Sequence, residues 1–160
     1  MTALERVNTL HWVKADLLFL HCCGSFKWAR AMQGARPFAN GDALLATAER
    51  LFAGLERQDW LGAFAAHPRI GEPATGSSQE EQARVASAPR CVLAELGLAN
   101  RCYEERFGHI FIVCATGKSA EEMLALLNAR LGNDAETELA IAAAEQAKIT
   151  RLRLEKLVRS

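Results

Sequence analysis

The chain has 160 residues, half of them apolar, and its 19 lysines and arginines balance 19 aspartates and glutamates. That length fits one domain over residues 1–160, with apolar side chains enough for a sizeable single core. Zero net charge argues against a protein that coats nucleic acid or anionic membrane, and no apolar run approaches the roughly 20 residues needed to cross a bilayer.

The N-terminus lacks the basic region of a signal peptide. The five cysteines are Cys22, Cys23, Cys91, Cys102 and Cys114. Their number is odd, two are adjacent, and no C-x-x-C occurs. They read as reduced, mostly buried small hydrophobes of a cytoplasmic protein. His21 lies beside Cys22 and Cys23, but no second ligand cluster follows at helical spacing, so no metal site is expected.

In chain order, Thr2-x-x-Glu5 predicts a capping box for a short first helix. Trp12, Ala15, Phe19 and Cys22 fall at helical spacing, with Gly24 as C-cap and Ser25 as the next N-cap. Trp28, Ala29 and Met32 give another face, ended by Arg36-Pro37-Phe38. Asn40-Gly41-Asp42 reads as a turn with a cap. Leu44, Leu45, Ala48, Leu51, Phe52 and Leu55 then pattern a long amphipathic helix. A further helix is expected over 58–66, and residues 68–77 hold two prolines and two glycines, a true break.

Ser78-x-x-Glu81 is expected to open the next helix as a capping box, with Pro89 in the first turn of the one after it. Val92 to Phe107 carries that helix and Gly108 caps it. Residues 109–115 are short, apolar and β-branched, but no second convincing strand exists to pair with them. They read as an extended, buried crossing segment. Ser119-x-x-Glu122 caps another helix, and a last long helix is expected over 135–158. The fold expected is therefore all-α, a compact helical bundle with one short extended crossing.

Candidate chemistry centres on His67. Proline follows it, which pushes His67 out of the α region. The imidazole is thus presented where a helix stops, and its ordinary pKa suits it to move protons. Taken alone, His67 reads more readily as a helix-end histidine bonding the last carbonyls. A capping box likewise explains Ser78 and Glu81 without function, and Gln82 is an ordinary surface glutamine. Together, though, they form a second polar cluster across one break from His67. Gly117-Lys118-Ser119 ends like a phosphate-binding loop, but Ile112 stands where its first glycine is required. Arg151 and Arg153 lie two apart on the last helix and point in different directions.

Several patterns then occur in fixed order. They are Ser25-x-x-Trp28-Ala29 with Arg36-Pro37-Phe38, His67-Pro68-x-x-Gly71, and Ser78-x-x-Glu81-Gln82. After them come Asn100-x-x-Tyr103-x-x-x-Phe107-Gly108-x-x-Phe111-Ile112, Arg130-Leu131-x-Asn133-Asp134, and Lys148-Ile149-x-x-x-Arg153-Leu154. Together they resemble the 2-oxo-4-hydroxy-4-carboxy-5-ureidoimidazoline (OHCU) decarboxylase family, over nearly the whole chain. The resemblance implies an all-α homodimer that uses neither metal nor organic cofactor. It implies decarboxylation of a small ureidoimidazoline to (S)-allantoin in urate catabolism.

By motif, His67 matches the family's catalytic histidine, and Glu81 is expected to act with it. Pro68, Ser78 and Gln82 match substrate-binding positions, as do Phe111 and Ile112 in the crossing and Arg153 in the last helix. Many relatives have F-G-F-P-F where this chain has Phe107-Gly108-His109-Ile110-Phe111, which leaves His109 as an added pocket group or a buried variant. The chain ends Val158-Arg159-Ser160, unlike a peroxisomal signal, so a cytoplasmic location is expected. The rival readings are a non-enzymatic helical binding module and a related hydrolase acting on 5-hydroxyisourate.

Overall fold

Local cap chemistry sets most helix boundaries. The computed structural model describes residues 1–159, and among them there are ten helices and no strand. Ser160, the end of the tripeptide discussed above, lies outside the described residues. In order the helices are α1 (Ala3–Thr9), α2 (Trp12–Cys22), α3 (Phe26–Gly34), α4 (Gly41–Ala53), α5 (Arg57–Ala65), α6 (Gly76–Glu81), α7 (Ala83–Ala86), α8 (Arg90–Phe107), α9 (Ala120–Arg130) and α10 (Ala135–Arg159). The all-α class read from the sequence is the class observed.

Thr2 and Glu5 form the reciprocal capping box, with bonds of 3.1 and 2.6 Å. The side chains of Ser25, Asn40 and Ser119 each accept a backbone N–H three residues on, at 3.2, 2.8 and 3.2 Å. Gly108 closes α8 at φ 78°, in the left-handed region.

Three local expectations change. Cys23, in extended geometry, takes the C-cap of α2 in place of Gly24. Pro89 is the N-cap of α8, one position before its first turn. Trp12 is 53 % exposed, although it shares the helical spacing of buried Ala15, Phe19 and Cys22. Helical side chains tilt towards the N-terminus, so the first residue's side chain projects past the end of the helix.

Contacts divide the chain into two units. The first is Met1–Ala63 with the chain from Ala147 onward. Phe19, Trp28, Met32 and Leu44 are fully buried in it. Trp28 meets Phe19 edge-on, with centroids 6.2 Å apart, and its indole N–H donates to Ala48 O at 3.1 Å. A large apolar body is thus buried with its one polar atom satisfied. Arg36 Nη1 donates to Val7 O and Leu10 O, both at 2.8 Å, fastening the end of α1. Burial pushes the Cys22 thiol up to about 12 and raises that of Cys23 as well. Trp12, Val13, Leu17 and Phe26 make an exposed apolar face on α2 and α3.

The second unit is Phe64–Gln146. Its core gathers Ile70, Val85, Leu96, Tyr103, Phe111, Met123 and Leu127. The crossing segment is buried from Phe111 to Ala115 and is neither helix nor strand. Buried backbone groups need partners, and here side chains supply them. Arg130 Nη1 donates to Ile112 O at 2.6 Å, Cys114 N–H donates to Glu145 Oε1 at 3.3 Å, and Lys118 Nζ donates to Cys114 O at 2.6 Å.

Arg130 is held in turn by Glu138, which is fully buried. Arg130 Nε donates to Glu138 Oε1 at 2.7 Å, and Nη2 lies 2.5 Å from the same oxygen. The Tyr103 hydroxyl donates to that oxygen too, and Asn133 Nδ2 donates to Oε2 at 3.0 Å. Burial, and then the bond to Glu138, raise the Tyr103 pKa well above the usual phenol range, so the hydroxyl keeps its proton and stays a donor. The guanidinium also sits 4.5 Å from the Phe111 ring centroid.

Breaking a buried ion pair on one side leaves an uncompensated charge. Glu138→Leu should therefore cost about 3–5 kcal/mol in urea denaturation. Adding Arg130→Met should recover part of that loss. A single-variant loss below about 1 kcal/mol would show that the pair carries little of this stability.

Candidate functional site

Helix α5 stops at Ala65, and His67 N–H donates back to Phe64 O at 3.1 Å. The following proline prevents the helix from continuing through His67. The ring is half-buried, and its Nε2 lies 2.6 Å from Oε1 of Gln146, which is fully buried on α10. The histidine is therefore where the sequence places it, at a helix stop, and its ring is held by a side chain 79 positions away.

The loop after His67 is held from several directions. Gly71 turns at φ 89°, and its N–H donates to Gln82 Oε1 at 3.0 Å. Asn100 Nδ2, on α8, donates to the buried Ile70 carbonyl at 2.9 Å. Arg69 Nε pairs with Glu104 at 2.8 Å. Backbone groups that a loop would leave to water are thus met by side chains, and the stretch from Arg69 to Gly71 is tied to α8 and to the α6–α7 junction. Beside it lies a depression of ≈ 340 Å³, bordered by Gly71, Pro73, Ala74, Gln79, Gln82 and Leu93.

The expected cap at Ser78 is not the one observed. Gly76 adopts φ 57°, the chain enters α6 there, and Thr75 takes the N-cap position. Ser78 is therefore inside α6 with Glu81 one turn later, and both are half-buried. The capping box that would have accounted for them is absent. Gln82, at the junction with α7, is buried, contrary to its reading as a surface glutamine.

Phe111 and Ile112 are buried in the crossing, where Arg130 stacks on one and binds the carbonyl of the other. His109 joins an aromatic group, 5.4 Å from Phe64 and 5.6 Å from Tyr103 between ring centroids. Arg153 belongs to the first unit. It is half-buried there, and its Nη1 donates to His21 O at 3.1 Å. Arg151 is exposed and pairs with Glu49 at 2.5 Å and Glu155 at 3.1 Å.

Sequence reasoning missed two side chains that hold the His67 loop and ring. Asn100 stands in a quoted pattern that gives it no role, and Gln146 lies in the expected last helix with nothing in its spacing to single it out. For Gln146 the signal was an uncharged polar residue among Ala142, Ala143 and Ile149, on the stripe that faces inward.

The family model described as OHCU decarboxylase matches residues 8–155. The uric acid degradation bifunctional protein TTL of Arabidopsis thaliana is 39 % identical over 145 residues, covering 85 % of this chain and 45 % of that protein. The chain thus spans less than half of that relative's length. The 2-oxo-4-hydroxy-4-carboxy-5-ureidoimidazoline decarboxylase of Amia calva is 30 % identical over 138 residues, covering 81 % of this chain and 79 % of its own. A crystal structure of OHCU decarboxylase in the presence of (S)-allantoin matches with a TM-score of 0.83 and 38 % identity, over 91 % of this chain and 99 % of that one.

A Cβ at Gly71 would meet Leu96 Cδ2 at 3.1 Å in a backbone conformation that L-residues rarely adopt. Gly71→Ala should cost about 1–2 kcal/mol in thermal or urea unfolding. An unchanged melting temperature would show that the loop relaxes without loss.

Proposed function

The chain belongs to the OHCU decarboxylase family, and from that premise we propose that it decarboxylates OHCU to (S)-allantoin in urate degradation. The observation that carries this reading is His67, set at a helix stop in a side-chain-clamped loop and gripped at Nε2. The family match from 8 to 155 takes in both units, which supports reading the chain as one functional domain.

Decarboxylation breaks the bond between carbon and carboxylate and leaves an electron pair on carbon. In OHCU a C=N group adjoins that carbon and receives the pair, so the sink is part of the substrate. The protein must hold the carboxylate out of the ring plane and deliver a proton to one face of the product carbon. His67 is assigned the proton transfer, and Glu81 orients it or accepts from ureido N–H groups. Ser78, Gln82 and the Phe111–Ile112 segment position the substrate beside Pro68. Gln82 Oε1 is already bound to Gly71 N–H, so its Nε2 is the atom assigned to a substrate carbonyl.

Arg153 offers a planar fork of donors suited to a carbonyl or carboxylate. Gripping the departing carboxylate would stabilise the ground state and oppose loss of CO2. Arg153 is therefore assigned to a group that stays. The chain is read as cytoplasmic, in keeping with its uncrosslinked thiols. No helix of the described residues is long and apolar enough to cross a membrane.

With OHCU generated in situ, His67→Asn should lower turnover by about a hundredfold or more, followed by CO2 release and by the handedness of allantoin. Arg153→Met should mainly raise KM. Allantoin formed by His67→Asn at the wild-type rate would remove His67 from the chemistry, and ring-opening without CO2 would point to a hydrolase.

The chain is also read as half of a homodimer. The exposed apolar face of Trp12, Val13, Leu17 and Phe26 supports this, because a patch of that kind marks an interaction surface. In sedimentation equilibrium the protein should behave as two chains, and Leu17→Glu with Phe26→Glu should give one. A wild-type monomer would refute the pairing.

A further inference from the structure

Gln146 is a neutral polar side chain in a place that favours an apolar one. It is fully buried on α10, along with its helix neighbours Ala142, Ala143 and Ile149. An amide taken out of water costs free energy unless it is hydrogen-bonded, and leucine or methionine would fill the same space without that cost. Its Oε1 lies 2.6 Å from His67 Nε2. A carboxamide oxygen only accepts, so the ring nitrogen facing it must carry the proton.

We propose that Gln146 is a positioning residue for His67, fixing the ring plane and the tautomer with the proton on Nε2 and the lone pair on Nδ1. This rests on the proton-transfer role given to His67 above. The backbone at His67 has left the helix, and Pro68 constrains the main chain without setting the ring's torsions. The bond to Gln146 holds the Nε2 edge of the ring in place. It also selects the nitrogen that works: Nδ1 takes the proton that the substrate hydroxyl loses and returns it to the product carbon, while Nε2–H stays bound to the carboxamide in both charge states of the ring. A carboxylate at position 146 would hold the ring as imidazolium by opposite charge. A carboxamide gives the same orientation without adding a charge that favours one protonation state of the ring.

The test reads the ring directly. Imidazole nitrogen chemical shifts of 15N-labelled protein are recorded above the ring's titration, with the His67 signal identified by its loss in His67→Asn. The wild type should show the Nε2–H tautomer. Gln146→Leu should show a mixture of tautomers and lose about 10- to 100-fold in kcat, as expected of a misaligned catalytic group, with KM within about twofold. Gln146→Glu keeps the acceptor oxygen and should restore Nε2–H while holding the second proton to higher pH.

A wild-type Nδ1–H tautomer overturns the proposal, and it is read without any variant. An Nε2–H tautomer that persists in Gln146→Leu at full kcat overturns it too. If His67→Asn keeps the catalysed rate, the functional reading fails instead, and the tautomer comparison still decides what Gln146 does to the ring.

Discussion

The buried pair of Arg130 and Glu138 is the interaction on which the second unit depends. It joins the last turn of α9 to the first turn of α10, across the short turn between them. A cation at a helix C-terminus and an anion at a helix N-terminus each meet a favourable dipole. The pair therefore lies where both helices already favour those charges, which offsets part of the desolvation. From that anchor Arg130 reaches the Ile112 carbonyl and the Phe111 face, and Glu138 gathers Tyr103 and Asn133. A stretch with strand-like composition and no strand beside it can stay buried because these groups stand in for a neighbouring chain.

A second set of contacts acts on the His67 loop, and most of it is uncharged. Gln82 and Asn100 hold backbone groups of the loop, and Gln146 holds the ring. Neutral amides orient without fixing a protonation state, whereas a carboxylate or guanidinium at the same distance would impose one. The two regions thus divide labour by chemistry. Permanent charges secure the buried crossing, and amide side chains hold the loop and the ring of the histidine proposed to move a proton.

What was legible in the sequence is local. Thr2, Ser25, Asn40, Ser119 and Gly108 act within a few residues of themselves, and each sits where the pattern put it. The His-Pro helix stop was legible for the same reason, since proline restricts its immediate neighbour. The failures are instructive in kind. Ser78 and Glu81 satisfy the capping spacing, but Gly76 lets the helix begin earlier and hands the cap position to Thr75. Long-range partners were out of reach: no spacing rule connects Gln146 to His67, Asn100 to Ile70, or Arg130 to Ile112. The family resemblance named candidate site residues in the chain, but it did not say which other side chains hold them.

The cysteines carry a consequence for the protein under oxidising conditions. Thiol exchange needs thiolate, and Cys22 and Cys23 are buried with their protons held far above neutrality, so neighbours in sequence are poor reactants. Cys91 and Cys102 are exposed on α8. Eleven helical residues place them about 16 Å apart along the axis, beyond the reach of any disulfide. Neither can close on the other. When reductant is exhausted, a disulfide joining Cys91 or Cys102 of one molecule to the same thiols of another meets no such barrier, because both are exposed.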